Sequence, residues 1–311
     1  SSTDLEEKFT KAIILADAKF YLSMIHFMQQ EISGYLSAGL QLKRAWKIYA
    51  RVQRQLFDLY KKVEPNAEKI YGSDSNSNTI QLIMEEEETA STTTASSNEE
   101  DELSQLGELK ITEEEMSQQG MSTDTIKRLL GAVSFGYGLY MFLFSLAPSN
   151  MLKLIKILGF QGDRNVGLKA ISFCSNSKDM RAPMADMILL SYGILITPLF
   201  GLNECDVRVS DDDIVQLLDK NLKKYPRSAF MFYYKGQYLR AQRRLDECMR
   251  VQEEAFENTK NNPELQLISL EEMGWLSLMA LNYESAFDKF NTILGRTKWY
   301  RSLYAYLCAV I

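Results

Sequence analysis

Few residues in this 311-residue chain have the types and spacing that catalysis requires. There is one histidine, His26, so a zinc site or a proton relay that needs two imidazoles cannot be assembled within the chain. His26 lies in an apolar-rich stretch with no serine, cysteine or carboxylate partner at a diagnostic spacing. We therefore predict a packed or surface histidine, no catalytic residue and no enzymatic activity.

Two other clusters could suggest ligand chemistry. The carboxylates of Asp211–Asp213 are consecutive, whereas a calcium loop needs alternate aspartates followed by glycine. Since Ser210 with Asp213 forms a variant of the capping box, we interpret the acids as the first turn of a helix. The second cluster consists of Gly131, Gly136 and Gly138. These glycines lack the Lys-Ser/Thr and the preceding strand that phosphate-binding loops have. We therefore expect them to allow close helix packing, and we expect no bound metal or cofactor.

Basic residues are the stronger candidates for binding. The first group, which begins at Lys43, recurs every three or four residues, and this spacing places its members on one helix face. The second group, which begins at Arg240, lies with Arg250 in a later segment. A solvated face is the simpler interpretation; the functional one is an acidic peptide, a phospholipid surface or the chain's own acidic segment. Nucleic acid is not expected, because no reader motif is present. The two groups of this candidate anionic-partner surface are Lys43, Lys47, Arg51 and Arg54, and Arg240, Arg243 and Arg244.

The elements that position these residues are predicted to be helices. Apolar residues recur at helical spacing, no convincing alternating stretch appears, and the chain has only 16 Gly and 6 Pro. The fold class is therefore all-α. We predict an N-terminal helical pair in residues 1–71 and a helical-repeat region in residues 123–311. Because the chain begins with serine and ends within an apolar helical pattern, we expect a fragment truncated at its C-terminus.

The segment between these two regions differs sharply in composition. Residues 72–122 are rich in Ser, Thr, Asn and Glu and have no aromatic residue, so we predict a disordered acidic insertion. Between Glu85 and Asp124 there are 13 acidic residues and a single lysine, although the whole chain has a net charge of only −6. The rest of the chain is therefore basic, with a net charge of +6.

Two apolar runs could be mistaken for membrane spans. Ala132–Ala147 and Met187–Leu202 each contain 16 residues without a charge, but a span needs about 20, and Pro198 interrupts the second run. We predict buried helices, and we keep association with a membrane or lipid surface as the alternative. The four cysteines are far apart in sequence, with no CxxC, which favours reduced thiols in the cytoplasm: Cys174, Cys205, Cys248 and Cys308.

The last helices contain an internal repeat. Two helix-turn-helix units align near residues 228–260 and 264–296, with a period of about 38 residues, slightly longer than the ordinary tetratricopeptide unit. In each unit a glycine precedes a small residue by twelve positions, and such a glycine lets the second helix approach the first. Gln252 stands where an aromatic residue is usual in tetratricopeptide units. The predicted packing positions are Gly236, Cys248 and Ala255 in the first unit and Gly274, Ala286 and Phe290 in the second.

Several motifs carry a family resemblance. GFQGDRNVGLKAI (Gly159–Ile171), ISGYLSAGLQLKRAWKIY (Ile32–Tyr49), FGYGLYMFLFSLAP (Phe135–Pro148) and NYESAFDKF (Asn282–Phe290) resemble the tetratricopeptide repeat protein 39 family, which includes the fungal inclusion-body clearance proteins. The resemblance covers nearly all of the chain except the acidic segment. It implies a tetratricopeptide-like α-helical solenoid that acts by binding other proteins, with no catalytic residues.

These observations favour a non-enzymatic adaptor or scaffold that binds partner proteins through its helical-repeat surface. The partner could be an acidic segment, in keeping with the basic body of the chain. The alternative is a peripheral membrane or lipid-surface protein that uses its apolar helices and basic face.

Overall fold

The structure is a computed structural model that describes residues 2–28, 32–67, 121–146, 162–201 and 209–311. Every regular element in these residues is helical, and no strand occurs among them, so the predicted all-α class is confirmed. The predicted disordered insertion lies almost entirely outside the described residues. The helices are α1 (Ser2–Met28), α2 (Ile32–Val63), α3 (Thr123–Ser145), α4 (Arg164–Ser175), α5 (Ala182–Ser191), α6 (Thr197–Phe200), α7 (Asp211–Lys224), α8 (Ala229–Ala241), α9 (Leu245–Asn258), α10 (Pro263–Met279), α11 (Tyr283–Arg296) and α12 (Arg301–Val310).

Most of the helix starts that the structure describes have a side-chain cap. The hydroxyl of Ser122 accepts a hydrogen bond from Thr125 N at the start of α3, and Asp163 accepts one from Val166 N at the start of α4. At α7, Ser210 and Asp213 form the predicted reciprocal capping box. These caps satisfy backbone N–H groups that have no partner within the helix, which is why the sequence locates the helix starts well.

The described helices fall into two compact units. Of the described residues, those up to Asp186 form the N-terminal unit, and those from Met187 onward form the C-terminal unit. In the N-terminal unit, α1 packs on α2, and both contact α3, which also packs along α4. The helices of residues 1–71 therefore belong to the same unit as α3 and α4, which follow the acidic segment.

Aromatic stacking and glycine contacts hold α2, α3 and α4 together. The Trp46 ring of α2 stacks on two rings of α3, those of Tyr137 and Tyr140, at centroid distances of 5.1 and 4.3 Å. Between α3 and α4, a Cβ added at Gly138 would lie 2.8 Å from the carbonyl oxygen of Gly167. The two helix backbones therefore touch at a pair of glycines, where any larger residue would separate them.

A polar network joins three parts of the N-terminal unit. Asp17 of α1 accepts a hydrogen bond from the Tyr49 hydroxyl of α2 at 2.6 Å and pairs with the Arg181 guanidinium at 2.5 Å. Arg181, which precedes α5, also pairs with Asp179 at 3.1 Å. Burial, together with the negative charge of Asp17, raises the pKa of the Tyr49 hydroxyl, so the phenol stays protonated and donates to the carboxylate.

The C-terminal unit is a run of helices in which, from α7 to α12, each helix contacts the next. Three apolar clusters follow one another along it, and neighbouring clusters draw on a common helix. In the last cluster the buried Phe290 ring of α11 contacts the rings of Trp275 and Tyr304, at centroid distances of 5.3 and 6.2 Å. Short turns between successive helices make the pairs antiparallel. This nearest-neighbour packing is typical of helical-repeat proteins.

Candidate protein-binding surface

The two predicted repeat units have the same turn geometry. Arg243 ends the turn after α8 with a φ of 60°, and Leu281, at the corresponding place in the second unit, ends the turn after α10 with a φ of 58°. In both turns the next residue donates its N–H to the carbonyl five residues earlier: Arg244 to Leu239, and Asn282 to Ser277. The left-handed backbone conformation of Arg243 and Leu281 lets the chain reverse its direction within a few residues in each turn. The second helix of each pair therefore lies against the first.

The predicted packing positions lie between the paired helices. In the first unit the Cys248 thiol donates to the carbonyl oxygen of Gly236 at 3.1 Å, and a Cβ at Gly236 would collide with the Gln252 side chain. In the second unit a Cβ at Gly274 would lie 2.8 Å from the Phe290 ring. The remaining positions, Ala255 and Ala286, are fully buried. Gln252 and Phe290, at corresponding places in the two units, therefore cover the glycines of their own units.

A third helix pair precedes the two that the sequence predicts. Gly193 lies in the π-helical turn Tyr192–Ile196 that joins α5 to α6, and a Cβ there would lie 3.3 Å from the Ile214 side chain of α7. Ile214 precedes Cys248 by about 34 residues, the ordinary length of a tetratricopeptide unit. The sequence does not reveal this pair through the spacing of the later units, because Gly193 is much farther from Ile214 along the chain than twelve positions.

The basic residues of the candidate anionic-partner surface have different environments. Lys43, Lys47, Arg51 and Arg54 lie on α2 in the N-terminal unit, and only Arg54 is exposed rather than half-buried. Arg240, Arg243 and Arg244 lie at the end of α8 and in the turn that follows, in the C-terminal unit. The two groups therefore belong to different units.

Arg240 is committed to a buried polar cluster. Its guanidinium pairs with the buried Glu272 of α10 at 3.2 Å and donates to the side-chain oxygen of Gln237. Burial raises the pKa of Glu272, and the positive charge of Arg240 opposes that rise. Because Arg240 compensates an internal carboxylate, little of its charge is available to an external partner. Arg243, by contrast, is exposed at the turn.

Arg244 lines a groove that α7, α8 and α9 form within the C-terminal unit. The groove has a volume of about 450 Å³, within the range of ligand pockets. Buried aliphatic side chains form its floor: Leu218, Leu239 and Val251. Its charged side chains are the cations Lys235, Arg244 and Arg250 and the acids Asp219 and Glu247. Apolar and charged groups therefore occupy one concave surface.

The three cations of this groove all act on the carboxylate of Glu247. Its carboxylate accepts two hydrogen bonds from Arg244, at 2.7 and 2.5 Å. The pKa of Glu247 is lowered, first by the hydrogen bonding from Arg244 and then by the positive charges of Arg244, Arg250 and Lys235. Lys235 is not among the basic residues that the sequence pattern indicates, because it lies on a different helix from Arg250 and only the packing of α8 on α9 brings the two together.

The other residues considered for chemistry have structural environments. His26 is half-buried in the last turn of α1. Asp211 accepts a hydrogen bond from the Gln242 amide at 3.2 Å. Among the residues that the structure describes, no group of three or more His, Cys, Asp or Glu side chains could hold a metal ion. Of the cysteines, Cys205 lies outside the described residues, and the other three are free thiols.

Within the described part of the chain, two helical segments are long and apolar enough to cross a membrane by length and composition. In the most apolar window of Thr123–Ser145, 72% of the residues are buried inside the protein, whereas only 33% are buried in Ala182–Phe200. The first segment is therefore a core helix of the N-terminal unit. The second ends in the exposed residues Leu199 and Phe200.

The motif that carries most of the family resemblance has a packing role. In its described part, Asp163 caps α4, and a Cβ added at Gly162 or Gly167 would collide with the backbone of α3. A family model described as Iml2/Tetratricopeptide repeat protein 39 matches residues 1–311. No solved structure matches the chain. The match spans the full sequence and agrees with the helix pairs, so the chain belongs to the Iml2/Tetratricopeptide repeat protein 39 family.

Proposed function

We propose that this protein is a non-enzymatic adaptor that binds segments of partner proteins through the repeats of its C-terminal unit. Family membership and the helical-repeat fold support this proposal. The observation that carries it is the groove of α7, α8 and α9, in which buried aliphatic side chains and three cations face the same space. Such a surface offers both apolar area and polar groups that can orient a bound chain.

Affinity purification of the tagged protein from cells tests the adaptor function. Val215 is an exposed groove residue, so Val215→Glu adds a charge there without disturbing the core. We expect at least one protein to co-purify with the wild type and to be depleted with Val215→Glu. Val310→Glu, at an exposed position on α12, is the matched control and is expected to retain that protein. Absence of any protein enriched over an unrelated bait would contradict the adaptor function.

The cytoplasm is the compartment that we propose for this activity. The free thiols of Cys174 and Cys248 support it, because unpaired cysteines are typical of reducing compartments. Burial raises the pKa values of these thiols to about 12 and about 11, which suppresses the reactive thiolate. Such thiols act as small apolar residues in the core. Cys248 in addition uses its S–H to satisfy the carbonyl oxygen of Gly236.

Peripheral membrane association is a second candidate, because the apolar segment Ala182–Phe200 is incompletely buried. Leu199 and Phe200 expose 76% and 65% of their surface at its end. If these side chains insert into lipid, the protein is expected to float with vesicles of phosphatidylcholine and phosphatidylserine, and the Leu199→Glu/Phe200→Glu variant is expected to remain in solution. Val310→Glu again serves as the control. A wild-type protein that fails to float would eliminate this candidate.

A further inference from the structure

We propose that the groove of α7, α8 and α9 binds an acidic segment of a partner protein that also carries apolar side chains, and that Glu247 occupies the anion position while the groove is empty. This inference rests on the proposed adaptor function and names the chemistry of the partner. Three observations lead to it: convergent cations, an apolar floor and an internal carboxylate that is only partly buried.

The first observation is that one carboxylate lies near three cations, which come from α8, from the turn after it and from α9. Arg244 holds Glu247 through two hydrogen bonds, and the charges of Lys235 and Arg250 also act on that carboxylate. Neither Lys235 nor Arg250 forms an ion pair with any residue that the structure describes. The groove lining therefore holds three cations against two acids, Asp219 and Glu247, so its net charge is positive and a further carboxylate would be attracted there.

The second observation is the apolar floor of the groove, which favours anionic ligands that also have apolar groups. Leu218, Leu239 and Val251 present aliphatic surface that contributes to binding only if the ligand also has apolar groups. Asp219 lines the same groove, and the negative charges of Asp211 and Asp212 act on the nearby Tyr238. These acids would repel the continuous phosphate chain of a nucleic acid. A peptide with a few carboxylates among apolar side chains fits both the floor and the charges.

The third observation is the exposure of Glu247. Its side chain is 42% exposed, and an ion pair at that exposure is weak enough to exchange for an external carboxylate. Glu247 is therefore an internal competitor for the same cations. Neutralising it should strengthen the binding of an acidic peptide, whereas neutralising the cations should weaken it.

The experiment uses the full chain and a fluorescein-labelled decapeptide in which Glu alternates with Leu, with binding measured by fluorescence anisotropy at low and physiological salt. We expect the Lys235→Gln/Arg250→Gln variant to bind roughly tenfold more weakly than the wild type. The matched control, Lys260→Gln/Lys298→Gln, removes two exposed cations outside the groove and is expected to bind like the wild type. A peptide in which Gln replaces Glu is expected to bind much more weakly.

The Glu247→Gln variant tests the internal competitor. We expect it to bind the Glu-Leu peptide about threefold more tightly than the wild type, whereas Glu254→Gln, at an exposed position on α9 outside the groove, should change the affinity little. Both substitutions change the net charge equally, so the comparison isolates position. If the Lys235→Gln/Arg250→Gln variant loses its helical circular dichroism and is therefore unfolded, the comparison of Glu247→Gln with Glu254→Gln still tests the inference.

Any one of several results would overturn the inference. The first two are absence of peptide binding at concentrations up to about 1 mM and equal weakening by the groove and control cation variants. The others are equal binding of the Gln-Leu peptide, equal effects of Glu247→Gln and Glu254→Gln, and tighter binding of single-stranded DNA or phosphatidylserine vesicles with the same dependence on Lys235 and Arg250. If cellular partners still co-purify while the peptide does not bind, the adaptor function stands and only this inference falls.

Discussion

Replacing Arg181 by methionine is expected to lower the free energy of unfolding of the N-terminal unit by about 3–5 kcal/mol. The guanidinium of Arg181 lies between two carboxylates, 2.5 Å from that of Asp17 and 3.1 Å from that of Asp179. Their side chains are only 18% and 5% exposed. Without Arg181, two negative charges would remain close together with little access to water, and the connection from α1 to the turn before α5 would be lost.

The effect is measured by urea denaturation with hydrogen–deuterium exchange as the readout, because peptides from α1 and α2 report on the N-terminal unit alone. Lys178→Met is the matched control, since Lys178 pairs with Asp124 at 3.0 Å but the two side chains are 78% and 74% exposed. We expect this control to change the stability by less than about 1 kcal/mol. Asp17→Asn in the Arg181→Met background should restore part of the loss. Equal effects of Arg181→Met and Lys178→Met would show that the network does not stabilise the unit.

Replacing Gln252 by methionine is expected to raise the stability of the C-terminal unit by about 1–3 kcal/mol. Gln252 is fully buried, and neither amide atom has a hydrogen-bond partner in the structure. Methionine has nearly the same shape, so it keeps the contact with Gly236 and removes the desolvated amide. In the next unit the equivalent position holds Phe290, which packs without such a penalty.

Protection of α8–α10 amides against exchange is the measurement for Gln252→Met. Gln216→Met, at an exposed position on α7, is the control and should leave the stability within about 0.5 kcal/mol of the wild type. Protection in peptides from α1–α4 is expected to stay unchanged. A loss of stability in Gln252→Met would contradict the prediction and would indicate that the buried amide contributes favourable hydrogen bonds.

The helices and their starts follow from local sequence. Ser122, Asp163 and Ser210 accept hydrogen bonds from backbone N–H groups only three residues away, so the signal and the structure lie within one turn of helix. The matching positions of Gly236 and Gly274 likewise reflect contacts within one helix pair. For this reason the all-α class and the repeat are predictable without knowledge of how distant segments meet.

The contacts that dominate the predictions above are not local. Asp17 and Arg181 are 164 residues apart, and no spacing rule relates them. Lys235 and Arg250 lie on separate helices, and no spacing in the sequence relates the two. The sequence predicts a surface cation at Arg240, yet the ion-pair partner of this residue is the buried Glu272. Charge counts cannot distinguish such a residue from an exposed one, because burial depends on which helix covers it.

The sequence by itself determined the helical class, the positions of the caps, the repeat period and the basic character of the chain outside the acidic segment. These properties depend on residues within about one helix pair of each other. Only the tertiary structure decided which cations converge on Glu247, which one is neutralised internally, and that α1 and α2 share a unit with α3 and α4. The physical reason is that electrostatic and apolar contacts act over a few ångströms in space, whatever the separation along the chain.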